Sequence, residues 1–179
     1  TLSQPPLLLR NRGDGTFDNA TSSLGAAFNR PLMARGAAYA DFDGDGDLDI
    51  AISTLNGPAL LFRNDRVEPN RWLRVHTVGS RSNRSGIGTV VRVTSASGTQ
   101  AQTVRSGSSY ASQSELALTF GLGRDPRVSA IAVEWPSGQK QTFTDVAPNQ
   151  AIVIDEARGL VLTGPPAASP LPADPARPR

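Results

Sequence analysis

A chain of 179 residues with 38% hydrophobic content can bury the core of one ordinary domain or two small ones, and no apolar run approaches a membrane-spanning helix. Cysteine is absent, which excludes disulfides, thiolate metal sites and cysteine nucleophiles and leaves oxygen, or the single His76, for any metal. The formal charge of +2 hides an asymmetry, because residues 41–49 carry −5 and leave +7 on the other 170 as scattered, solvated arginines (Arg71, Arg74, Arg81, Arg84, Arg92, Arg105), a pattern that argues against nucleic-acid binding.

Apolar residues seldom keep three-and-four spacing beyond a turn, while short alternating runs broken by Gly, Pro, Asn and Ser recur throughout, so the chain reads as all-β. The predicted strands, in order, are 7–10, 37–40, 49–53, 59–63, 72–78, 88–94, 99–105, 116–120, 129–135, 141–144 and 151–154. Residues 25–36, around Pro31, read as a loop with room for one helical turn. Thr1 in place of Met, with neither a charged leader nor an apolar centre behind it, leaves no targeting signal to read and points to a longer parent chain.

PPLLLRN at residues 5–11 and PALLFRN at 58–64 match at five of seven positions with an offset of 53. A period near 50 with several strands per unit is that of propeller blades and similar arrays, whose units cannot bury their own faces alone. The expected division is the end of a preceding repeat at 1–24, one repeat at 25–66, a small β-sandwich at 67–163 and a disordered tail at 164–179. DRVEPN at 65–70 forms a polar join, and the tail has six prolines in sixteen residues.

Residues 41–49 read DFDGDGDLD, five aspartates in nine residues. Two carboxylates at about 4 Å repel by roughly 4 kcal/mol at an effective dielectric near 20, so a positive charge belongs among them. Gly44 and Gly46 let the backbone curl so that alternate side chains converge. Hard cations such as Ca²⁺ take six to eight oxygens, and the first half of an EF-hand loop has the same spacing. The EF-hand itself fails, since its twelfth position is Ile52 rather than Glu and strand-like segments flank the loop. The expected ligands are the side chains of Asp41, Asp43, Asp45 and Asp49 and the carbonyl of Asp47, with calcium preferred over the smaller, water-retaining magnesium.

GAAYADFDGDGDLDIAISTLNGPALLFRND resembles an FG-GAP/VCBS-type repeat, the calcium-loop repeat of integrin α-chain propellers and many bacterial surface proteins, and NRGDGTFDNATSSLG at 11–25 is similar to the segment joining such repeats. NRWLRV at 70, SNRSGIGTVVRV at 82, SGSSYASQSELALTFGLG at 106 and VEWPSGQKQTF at 133 resemble the ASPIC/UnbV domain, with Thr89 and Ala111 departing from the usual alanine and larger apolar residue. The resemblance implies a partial propeller-type blade followed by a sandwich. It also implies an extracellular or cell-surface location, further repeats upstream in the parent chain, and structural calcium.

Arg12-Gly13-Asp14 spells an integrin-recognition tripeptide, but Asp14-Gly15 is a hairpin turn signal and accounts for the stretch. Asn19-Ala20-Thr21 and Asn83-Arg84-Ser85 fit a short glycosylation pattern. His76 has no sequence neighbour to form a nucleophile pair, Gly121-Leu122-Gly123 and Pro136-Ser137-Gly138 read as loops, and Trp72, Trp135, Phe120 and Tyr110 read as core or edge aromatics. No acid, base and nucleophile set emerges, so the expected function is a non-enzymatic, calcium-binding interaction or assembly module with a protein or glycan partner. The alternative is a carbohydrate-binding or adhesion domain whose surface lies on the loops at 80–87 and 106–114.

Overall fold

The computed structural model describes residues 2–65 and 70–162, and the Pro-rich tail and residues 66–69 of the polar join lie outside them. The order is β1 (Leu9–Asn11), β2 (Phe17–Asn19), a 3-10 turn (Thr21–Leu24), β3 (Ala34–Ala40), β4 (Asp49–Thr54), β5 (Leu60–Phe62) and β6 (Arg71–Val78). There follow β7 (Val90–Ser95), β8 (Gly98–Thr103), β9 (Leu118–Gly123), β10 (Val128–Glu134), β11 (Lys140–Val146), β12 (Gln150–Asp155) and β13 (Gly159–Leu162). Every predicted strand is present. β2 and β13 were not expected; each is a short return strand held by its antiparallel neighbour, β1 and β12 respectively. Gly121 and Gly123 lie inside β9 rather than in a loop, opposite an irregularity at Arg71/Trp72 in β6 that bends the ladder. The helical turn forms at Thr21–Leu24, ahead of the loop expected to hold it.

Contacts divide the chain into two compact units. Among the described residues, the first takes those up to Tyr39, Asp49–Arg63 and Gly107–Ser114; the second takes Ala40–Leu48, those of Asn64–Ser106 and those from Glu115 onward. The aspartate-rich loop therefore groups with the sandwich, although in sequence it sits inside the repeat.

The first unit holds the β1–β2 hairpin and a sheet in the order β3-β4-β5. Its buried apolar set is thin: Ile52, and Phe28 packed edge-on against Phe62 at 5.0 Å. Leu2, Leu7, Leu9, Phe17, Leu24 and Leu61 stay exposed.

The second unit contains two four-stranded sheets, β11-β10-β7-β8 and β13-β12-β6-β9. Alternation along each strand sends one set of side chains inward. Leu73, Val75, Phe120, Ile152 and Ile154 from one sheet meet Val91, Val93, Val128, Ile131 and Val133 from the other in one core cluster. β12 pairs with β6 in parallel, and the other described pairings of these two sheets are antiparallel.

Thr89 departs from the core's apolar rule. Its residue is wholly buried and its hydroxyl has no hydrogen-bond partner among the described residues, while its backbone carbonyl accepts from Val104 at 2.9 Å. A buried, unmatched hydroxyl costs free energy that an isosteric methyl does not. Thr89→Val is therefore expected to stabilise the chain by about 1 kcal/mol in urea denaturation; an equal loss would mean that a buried water satisfies the hydroxyl.

Candidate metal centre

The aspartate loop holds its shape through side-chain acceptors bonding the backbone a few residues on. Asp41 Oδ1 accepts from the Gly44 amide at 2.7 Å and its Oδ2 from Gly46 at 3.2 Å. Asp43 Oδ1 accepts from the Asp45 amide at 3.3 Å and Asp45 Oδ1 from Asp47 at 2.9 Å. Gly44 and Gly46 sit at φ 77° and 94°, where a side chain is strained. The result brings carboxylate oxygens of Asp41, Asp43 and Asp45 within 4.8 Å of one another. A convergent all-carboxylate donor set fits a hard divalent cation such as Ca²⁺. Asp47 follows in the same loop, and Asp49, 1% exposed, opens β4 in the first unit.

Strand β6 explains how so acidic a loop lies against the sandwich. Leu73, Val75 and Thr77 alternate with Trp72, Arg74 and His76, and Leu73 and Val75 enter the core. On the opposite face Trp72 and Arg74 are also buried, while His76 is exposed. The Trp72 indole lies against Gly46 so closely that a Cβ there would come within 2.0 Å of the ring. Arg74 Nη1 meets Asp41 Oδ2 at 2.5 Å, and its Nη2 bonds Glu115 Oε2. The Asp41 side chain is wholly buried, and those of Arg74 and Glu115 are 9% and 13% exposed. Burial pushes the Glu115 carboxyl up, against the opposing pull of Arg74 and of the Asp41 amide.

Arg74 thus corrects the expectation of scattered, solvated arginines. Its place in the strand alternation leaves it outside the core, and only the loop folding over β6 buries it. The sequence carried no local signal for this, because the carboxylates that meet Arg74 belong to segments distant in the chain.

Glu156, just past β12, was likewise not anticipated. It is fully buried, and its Oε2 accepts the amides of Ser80, Arg81 and Ser82 at 2.7, 2.7 and 2.8 Å. Oε1 accepts the hydroxyls of Ser82 at 2.8 Å and Ser137 at 2.5 Å. One carboxylate therefore ties the β6–β7 loop to the β10–β11 turn. Burial alone would push this carboxyl up, but the Ser137 hydroxyl and the amides of Ser82, Ser80 and Arg81 outweigh it and hold the group far below the ordinary glutamate range.

Trp135 and Phe120 are core residues, whereas Tyr110 is 75% exposed, beside Ala111 at φ 46° on a serine-rich loop too polar to bury it. Arg12-Gly13-Asp14 lies on the β1–β2 turn, with Arg12 paired to Asp18 at 3.2 Å and Asp14 accepting from the Thr16 hydroxyl at 2.6 Å. A groove of about 500 Å³ in the first unit is lined by Leu7, Phe28, Tyr39, Ile50, Ile52 and the serines 108, 109 and 114, among others. His76 is not among its lining residues.

Comparison with known proteins adds independent information. The profile described as "FG-GAP-like repeat" matches residues 3–52, and that described as "ASPIC and UnbV" matches 79–161. Over 137 residues, 74% of the chain, it is 33% identical to cartilage acidic protein 1 of Mus musculus and 32% identical to that of Homo sapiens. A 58-residue stretch is 45% identical to the Xenopus tropicalis protein of that name. The chain spans about a fifth of the length of the mouse and human relatives, 21% and 20%. Among the described residues no helix is long and apolar enough to cross a membrane.

Two outcomes follow. Gly46→Ala should destabilise the chain by about 2 to 4 kcal/mol, combining overpacking against Trp72 with a left-handed backbone, whereas Gly13→Ala, with open space around its Cβ, should cost only the backbone strain; equal losses in urea would show that the Trp72 contact is slack. For Glu156, the folded carboxyl lies below its ordinary value of 4.5, so the unfolded chain takes up the proton first and the stabilisation is complete above 4.5 and lost as pH falls below it. Glu156→Gln should melt lower at neutral pH and show a flatter stability profile below pH 4.5 than the unsubstituted chain.

Proposed function

The chain combines an FG-GAP-like repeat with an ASPIC/UnbV domain, and from that premise we propose that it is a non-enzymatic, calcium-binding module of an extracellular protein, in which calcium is structural and the sandwich serves interaction or assembly. The observation that carries the reading is the convergence of Asp41, Asp43 and Asp45 within 4.8 Å in a loop preshaped by left-handed glycines. Asp47 through its carbonyl and Asp49 through its side chain are proposed to complete the ligand set. Calcium bound there supplies positive charge to a loop that otherwise carries −5, and an extracellular setting supplies the ion. The exposed apolar residues of the first unit support a further element of the reading, that repeats upstream in a parent chain cover them.

A second reading, carbohydrate binding or adhesion through the sandwich loops, is favoured by one observation, the exposed Tyr110 ring beside Ser108, Ser109 and Ser112. Tyrosine in such a setting can stack on a sugar ring while hydroxyls bond its edge. Against it, the amides of Ser80, Arg81 and Ser82 in the other proposed loop are already taken by Glu156.

A ligand that binds only the folded state adds about 2.7 kcal/mol at a hundredfold excess over its Kd. Removing calcium with a chelator should therefore lower the melting temperature by roughly 5 to 10 °C, and Asp43→Asn should abolish most of that difference together with sensitised terbium luminescence. Unchanged melting and absent luminescence in the unsubstituted chain would refute the calcium reading. Glycan-array binding that disappears in Tyr110→Ala would move the conclusion to the second reading.

A further inference from the structure

Asp41 already has a cation of the chain's own. Its buried Oδ2 lies 2.5 Å from Arg74 Nη1, and the same guanidinium reaches Glu115 through Nη2. Glu115 also accepts from the backbone amide of Asp41, while its Oε1 is buried without a hydrogen-bond partner among the described residues. One guanidinium thus serves two carboxylates, and Trp72 covers the loop beside them at Gly46.

This arrangement bears directly on the affinity of the loop. A divalent ion that takes Asp41 as a ligand shares that carboxylate with a positive charge in contact with it, and repulsion between like charges is strong in so poorly solvated a place. Arg74 cannot be shed cheaply to water, because Glu115 holds its other nitrogen. When no ion is present, the same guanidinium relieves the repulsion that would otherwise open the loop.

We propose that Arg74 is a resident counter-ion of the aspartate loop: it keeps Asp41 folded against the sandwich without calcium and lowers the loop's calcium affinity, and Glu115 retains the guanidinium when an ion takes Asp41. The inference rests on the calcium reading above. It makes the loop a site whose fold survives in calcium-poor surroundings and whose occupancy requires abundant calcium. It also places the tuning residues outside the matched repeat that supplies the ligands, Glu115 within the residues matched as ASPIC and UnbV and Arg74 just ahead of them.

The test is calcium titration by calorimetry on the full chain stripped of metal, with melting measured in chelator and in saturating calcium. Arg74→Gln should bind calcium at least tenfold more tightly than the unsubstituted chain, and its melting deficit should shrink when calcium is added. Glu115→Gln, which removes a negative charge and leaves the guanidinium wholly to Asp41, should bind several-fold more weakly. Arg74→Lys, which keeps the charge, should stay within about threefold of the unsubstituted affinity. If Arg74→Gln fails to fold in chelator, the weakened binding of Glu115→Gln supports the proposal and unchanged or tighter binding overturns it. Calcium binding by the unsubstituted chain with Arg74→Gln unchanged or weaker overturns the counter-ion role alone. Absence of binding in every variant, Arg74→Gln included, overturns the calcium reading and this inference with it.

Discussion

The buried contact between Asp41 and Arg74 is the constraint on which the second unit depends. A loop with five aspartates would ordinarily be driven into solvent by its own repulsion. Here one of those carboxylates is wholly buried, because a guanidinium from β6 meets it and Glu115 holds that guanidinium from the other side. Buried ion pairs of this kind contribute less to net stability than to registry, since the desolvation of both partners offsets most of their attraction. What the pair does fix is which strand the loop lies on, and Trp72 against Gly46 repeats the same specification with apolar surface.

The sandwich beneath is an ordinary apolar core with one polar fastening. Leu73, Val75, Ile152 and Ile154 pack against Val91, Val93, Ile131 and Val133, a contact that is strong but non-directional. Loops above such a core need a directional restraint if they are to keep one shape. Glu156 supplies it, collecting three consecutive amides and three hydroxyls from segments distant in sequence. The two buried acids are handled differently: Glu156 is satisfied by dipoles alone, whereas Asp41 is held by a full positive charge.

This contrast gives the repeat and the sandwich a physical relation. The matched repeat contributes the carboxylates, and β6, a strand of the sandwich that lies between the two matched segments, contributes the tryptophan and the arginine that seat them. The first unit is left with a thin interior and exposed leucines and phenylalanine, as a unit of a repeat array is when it stands without neighbours. These exposed apolar residues and the converging carboxylates therefore belong to different units.

Local pattern by itself determined the all-β class, the strand positions other than β2 and β13, and the acidic loop, because alternation and the spacing of aspartates and glycines are properties of adjacent residues. It also identified Asp41, Asp43 and Asp45 as a converging set, since glycines at positive φ dictate the curl. The tertiary structure alone decided that Arg74 is buried, that Glu156 is a fastening and that Tyr110 is exposed. Arg74 meets Glu115 across 41 positions of chain, and Glu156 meets Ser80 across 76. Strand periodicity says which face a side chain takes, but the residue that covers that face is chosen by long-range folding. DFDGDGDLD announces its need for a positive charge; that β6 supplies one became visible only when the loop was seen lying on Arg74.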